Sequence, residues 1–122
     1  MSIRILHILS GDLWGGAETQ MGLQIKAQRE LGLDSRALLL NEGETQKRYL
    51  EVGIPLEVIP ESMGLLKLFL AAKRSVTELK PNLIVSHGYK ETFVASYISI
   101  FEKIPFISMT HRNQQHSKAL PN

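Results

Sequence analysis

Three short stretches hold residue types from which a site can be built: Ser10–Gly16, His87–Lys90 and His111–Asn113. The first reads S-G-D-L-W-G-G-A-E. Gly15 and Gly16 remove two Cβ atoms where a helix is predicted to begin. A ligand oxygen could then approach the N–H groups of the first turn, and the helix dipole would favour an anion there by about 0.3–1 kcal/mol. A tight strand-to-helix turn with no ligand would use the same residues. The spacing is not G-x-G-x-x-G, because Gly11 and Gly15 are too far apart, and no Gly-Lys-Ser/Thr follows to make a P-loop. Glu18 suits the dipole but would repel a phosphate, so it is read as pointing aside or serving the helix terminus. Gly88 lets the chain turn and leaves His87 at a strand end, and His111-Arg112 follows the next strand in the same way. An imidazole can donate or accept a hydrogen bond near neutral pH, and a guanidinium pairs with phosphate. Singly, each histidine is a polar rim residue; two at successive strand ends beside a glycine pair make a candidate site. His7 reads as a satisfied core histidine, and His116 carries no weight. No metal-ligand spacing and no nucleophile elbow occur in the sequence.

These stretches must be held by a framework, and the apolar pattern supplies one. Short apolar runs predict strands at Ile3–Leu9, Ser35–Leu40, Leu56–Ile59, Leu83–Ser86 and Phe106–Thr110. Amphipathic stretches predict helices at Ala17–Leu31, Glu44–Val52, Gly64–Leu79 and Glu91–Lys103, with Gly32, Gly53 and Pro81 as stops. Alternation of this kind implies βαβ units, right-handed crossovers and a parallel sheet covered on both faces. The fold class is therefore α/β: a Rossmann-like, doubly wound parallel sheet of about five strands, in the order 3-2-1-4-5, with a flavodoxin-like 2-1-3-4-5 as the alternative. In the first order the winding reverses between strands one and four, and the three polar stretches converge there. Residues 1–110 make this domain and 111–122 a loop or tail. Only twelve residues follow the fifth strand, and they lack apolar periodicity. A helix would normally cover the sheet at that point, so the expectation is an α/β domain incomplete at its C-terminus, a mobile tail being the alternative.

Composition sets the outer limits. The chain has 122 residues, 43% hydrophobic and 21% charged, which is globular composition. It has no cysteine, hence no disulfide framework and no thiolate chemistry. No stretch reaches the roughly 20 apolar residues of a membrane span. The net charge of +2 is uneven: residues 1–61 carry six basic and nine acidic side chains, and residues 62–122 carry eight and three. The second half suits an anionic partner, but the basic residues are scattered and aromatics make up only 7%, so no nucleic-acid partner is expected.

The sequence resembles the N-terminal, acceptor-side domain of retaining glycosyltransferases of the GT-B fold, the subfamily-4-like group. The likeness rests on I-R-I-L-H-I-L, on G-G-A-E opening a helix, on L-K-P-N-L-I-V-S-H-G and on I-P-F-I-S-M-T-H, in this order over nearly the whole chain. The resemblance implies that Gly15 and Gly16 face the diphosphate of a nucleotide-sugar donor. It implies that His111 lies near the sugar and acts as the catalytic-site histidine, and that His87 lies on the acceptor side, where Arg112 is also placed. It further implies an acceptor that is a glycan or lipid-linked, a role in cell-envelope synthesis, no metal or other cofactor, and a cytoplasmic location at or near the inner membrane face. Asn82 departs from the aspartate frequent in the family, a change that touches packing more than chemistry. The family's second domain, which binds the nucleotide and supplies the charges that stabilise the leaving diphosphate, is not within these residues, so they are expected to be inactive alone. The alternative is a non-enzymatic α/β module that binds an anion. A receiver domain is disfavoured by Ile59-Pro60 where its phosphoacceptor would stand, and a dinucleotide dehydrogenase by the missing glycine fingerprint.

One helix carries a second possibility. On a wheel, Leu65, Leu68, Phe69, Ala72, Val76 and Leu79 of the third helix form a core face. Leu66 and Leu70 fall outside it, beside Lys67, Lys73 and Arg74. Exposed leucines among cations suit an anionic membrane surface; single exposed leucines are also ordinary.

Overall fold

The computed structural model describes residues 3–12 and 14–109. Five parallel strands, β1 (Arg4–Leu9), β2 (Asp34–Leu39), β3 (Leu56–Val58), β4 (Leu83–His87) and β5 (Phe106–Met109), form one sheet in the order β3-β2-β1-β4-β5. Four helices join them: α1 (Gly16–Glu30), α2 (Glu44–Glu51), α3 (Leu65–Leu79) and α4 (Tyr89–Glu102). The 3-2-1-4-5 winding is therefore the one adopted, and the switch point lies between β1 and β4. A short 3₁₀ turn, Glu61–Met63, precedes α3 and had no signal in the apolar pattern.

The central strands are buried on both faces, which explains why they do not alternate apolar with polar residues: Ile5–Leu9, His7 included, is buried at every position. On one face Leu6, Ile8, Leu38, Leu40 and Ile84 pack against Leu68, Ala72 and Val76 of α3 and Val94, Ala95 and Ile98 of α4. On the other, Leu9, Ala37 and Leu39 pack against Met21 and Ile25 of α1 and Tyr49 of α2. Helices α1 and α2 end in the same way. The glycine after each cap, Gly32 or Gly53, takes positive φ, and the following N–H turns back to Gln28 O or Tyr49 O at 3.0 Å. No helix among the described residues is long and apolar enough to cross a membrane.

The third helix departs from the expected wheel at one position. Leu65 was placed on its core face but is 68% exposed. It is the first residue of α3 and lines the open groove beside Glu61 and Phe93 instead of the core. Leu66 and Leu70 are exposed, as expected, at 72% and 52%. Lys73 lies 3.8 Å from Glu102 and over the Phe101 ring, and Arg74 pairs with Glu78 one turn on.

The amino end of the sheet has its own polar network. Asp34 accepts from Arg4, Arg36 and Arg29 at 2.8, 2.9 and 3.3 Å. The guanidiniums, Arg36 first, lower its carboxyl to about 2. Asn82 bridges to β1 there, its Oδ1 accepting from the Arg4 N–H at 2.7 Å, so this departure from the family pattern sits at the end of the sheet away from the switch point.

Candidate functional site

The sequence delivers two of its three polar stretches to adjacent strand ends. The β1–α1 loop leaves the carboxyl end of β1, and His87-Gly88 leaves that of β4, its neighbour. The third stretch, with His111 and Arg112, lies outside the described residues.

Gly15 caps α1. Its backbone is extended (φ −153°), a conformation open to any residue, and an added Cβ would meet only Glu18 Oε1 at 3.5 Å. A Cβ on Gly16 would meet nothing within 4 Å. Neither φ nor packing calls for glycine at these two positions. Gly11, by contrast, has φ +82° and lies against the Asn41 carbonyl, where a Cβ would stand 2.7 Å from the oxygen. Glu18 reaches back so that its Oε1 accepts the Gly15 N–H at 3.0 Å, the helix-terminus role considered for it.

Across the strand ends runs a chain of polar contacts that sequence reading did not isolate. Ser10 donates to Asp12 Oδ1 at 2.7 Å. Asn41 donates to the Ser10 carbonyl at 3.1 Å and to Glu61 Oε2 at 2.6 Å, and Lys90 Nζ meets the same oxygen at 2.9 Å. The Asn41 amide and then Lys90 hold the Glu61 carboxyl below its ordinary value, and Glu61 raises Lys90. Glu91, in the first turn of α4, is 2% exposed; burial pushes its carboxyl up, and its Oε2 has no hydrogen-bond partner among the described residues. A Cβ on Gly88, which has φ +128°, would collide with this carboxylate. Beside Lys90 and Glu61, a groove of about 450 Å³ runs between α3 and α4, walled by Leu65, Phe69 and Phe93.

His87 is the last residue of β4 and is only 9% exposed. Its Nε2 lies 3.0 Å from Nδ1 of the fully buried His7, and the two rings stack at 5.3 Å. His7 Nε2 in turn lies 2.9 Å from Gln28 Oε1 on α1, an oxygen that also accepts from Ser35. His7 is thus the satisfied core histidine expected, with burial lowering its pKa, but one partner is the candidate His87. The signal that could have found the pair is register. His7 stands opposite Val85, so His87, two residues on, lies diagonally across on the same sheet face. Among the described residues, no cluster of His, Asp and Glu side chains comes together as a metal site.

No protein-family model matches the chain, and no curated protein does. Solved structures do. HepE of Anabaena, solved with UDP and glucose, superposes with a TM-score of 0.74 at 22% identity, over 87% of this chain and 29% of that one. MurG of Acinetobacter baumannii gives 0.73 at 16% identity, over 95% and 39%. A glycosyltransferase of Rickettsia africae ESF-5 gives 0.73 at 12%, over 88% and 29%. The chain is folded like a Rossmann-like portion of the GT-B glycosyltransferases. It spans 29–39% of the length of these neighbours.

Proposed function

We propose that this chain is the N-terminal, acceptor-side portion of a subfamily-4-like glycosyltransferase that moves a hexose from a nucleotide sugar to an acceptor. The observation that carries the reading is the glycine pair. Gly15 and Gly16 open a helix at the switch point of the sheet, and neither backbone conformation nor packing demands glycine there. Bare backbone at a helix N-terminus is what a diphosphate needs for close approach. The HepE structure, with its bound UDP, supports a uridine diphosphate sugar as the donor.

In this reading Gly15 and Gly16 form the donor-phosphate wall, and His87 lies on the acceptor side. His111, with Arg112 beside it, orients the reacting hydroxyl at the junction of donor and acceptor. No metal takes part; cationic side chains elsewhere in the complete enzyme neutralise the diphosphate as it leaves. The apolar groove beside Lys90 suits an acceptor with an apolar part, such as a lipid-linked glycan of the cell envelope, met at the cytoplasmic membrane face.

The test is release of the nucleoside diphosphate from a panel of UDP-hexoses by the protein as encoded by its complete gene. Hexose-dependent release that is abolished in Gly16→Val supports the reading. Tight binding of nucleotide sugars without any turnover would point instead to an anion-binding module, and neither binding nor release would overturn both.

A further inference from the structure

We propose that Gln28 and His7 are positioning residues that set the tautomer of His87, so that His87 carries its proton on Nε2 and keeps its buried Nδ1 unprotonated. The argument starts at Gln28. Its Oε1 accepts from the Ser35 hydroxyl and faces His7 Nε2 at 2.9 Å. A carbonyl oxygen only accepts, so His7 must carry its proton on Nε2. A neutral imidazole has one N–H, which leaves His7 Nδ1 as an acceptor. His87 Nε2, 3.0 Å from that atom, must then be the donor. The proton of His87 is therefore committed inward, and any group that meets Nδ1 must donate to it.

The wiring also limits the pair to one added proton. Protonating His87 at Nδ1 leaves both inward hydrogen bonds intact. A second proton, on His7 Nδ1, would point two N–H groups at each other in a fully buried place. The two histidines come from β1 and β4, on either side of the switch point, and Gln28 comes from the helix that Gly15 and Gly16 open. The network thus ties the glycine-pair helix to the acceptor-side histidine. A part for His87 in sugar transfer rests on the transferase reading; the wiring does not.

The test is a long-range ¹H–¹⁵N correlation spectrum of the imidazoles in ¹⁵N-labelled protein, at a pH where both rings are neutral. We expect a protonated Nε2 and a bare Nδ1 for both His7 and His87. In Gln28→Leu and in His7→Phe, His87 should relax to a mixture of tautomers. A wild-type His87 protonated at Nδ1 would mean that the Gln28 amide is turned over and every donor reversed, and would overturn the proposal. So would an unchanged His87 pattern in folded variants. Should the variants fail to fold, the wild-type spectrum still decides. In transfer assays, His7→Phe should lower kcat about tenfold with little change in donor KM. The predicted spectrum in a protein that transfers no sugar would remove the transferase reading and leave the wiring standing, whereas the reversed spectrum in an active enzyme would do the opposite.

Discussion

Glu18 Oε1 accepts the backbone N–H of Gly15 at 3.0 Å, so the helix terminus proposed for the diphosphate already holds a carboxylate of its own chain. The contact stabilises α1 as a capping interaction does, and it places a negative charge where the donor's phosphates would bind. Glu18→Gln keeps an oxygen for the Gly15 N–H and removes the charge. We expect the variant to bind a nucleotide sugar about two- to fivefold more tightly at low salt, with the gain shrinking as salt rises, as titration calorimetry would show. Weaker binding would mean that the carboxylate helps to organise the phosphate site.

Gly16 and Gly22 lie on one helix and should respond in opposite ways. A Cβ at Gly16 enters open space, so Gly16→Val should change stability by less than about 0.5 kcal/mol while lowering turnover tenfold or more, about 1.4 kcal/mol of transition-state stabilisation. A Cβ at Gly22 would stand 2.8 Å from the buried Tyr49 ring, whose hydroxyl donates to the Glu18 carbonyl at 2.7 Å. Gly22→Ala should therefore destabilise the fold by about 1–3 kcal/mol, although alanine is the better helix former. Denaturant titration of both variants, with turnover of the first, checks the contrast.

Asp34 makes acid stability a property of the amino end of the sheet. Its folded value of about 2 lies below the ordinary 3.8, so the unfolded chain binds the proton more readily. This contribution is complete above about pH 4 and is lost as pH falls towards 2. The arginine partners are more than a third exposed, which reduces the expected loss to about 1–2 kcal/mol. Unfolding midpoints across that window should flatten in Asp34→Asn.

Glu91 has the opposite sign. Its carboxyl is raised by burial, so the folded state holds the proton more tightly, and this contribution is present at low pH and lost as pH rises above the ordinary 4.5. Glu91→Gln should match the parent near pH 4 and exceed it near pH 8 by about 1 kcal/mol, roughly 4–8 °C in thermal midpoint. Equal midpoints at both ends would show that the carboxylate finds a partner in solution.

The exposed leucines of α3 give the membrane test. Lys73 and Arg74 are engaged with Glu102 and Glu78, so their pull on an anionic surface competes with those pairs. Each cation brought near such a surface adds about 1 kcal/mol, reduced by salt. Co-sedimentation with anionic vesicles that falls with salt and drops in the Leu66→Ser, Leu70→Ser variant would support docking on an anionic membrane; no binding would leave these leucines as ordinary exposed or partner-facing residues. Equal pelleting with neutral vesicles would sink the idea.

What the sequence determined is largely what is local. Runs such as Ile5–Leu9 and stops such as Gly32 and Gly53 mark strands and helix ends because burial and positive φ act on neighbours in the chain. Their alternation then left two strand orders, one of which is the order found. Leu65 falls on the apolar arc of the wheel yet stands exposed in the groove, because a helical wheel carries no information on what packs against each turn. The glycine pair was visible as a motif, but its bare face was not; that needed the space around Gly16. The contacts that make the site cohere lie far apart in sequence: His7 with His87, and Asn41 and Lys90 converging on Glu61. Only the pairing of β1 with β4, and the place of the 3₁₀ turn at the sheet's carboxyl edge, brought them within hydrogen-bond reach. The His7–His87 distance depends on register between strands nearly 80 residues apart, which no local pattern encodes.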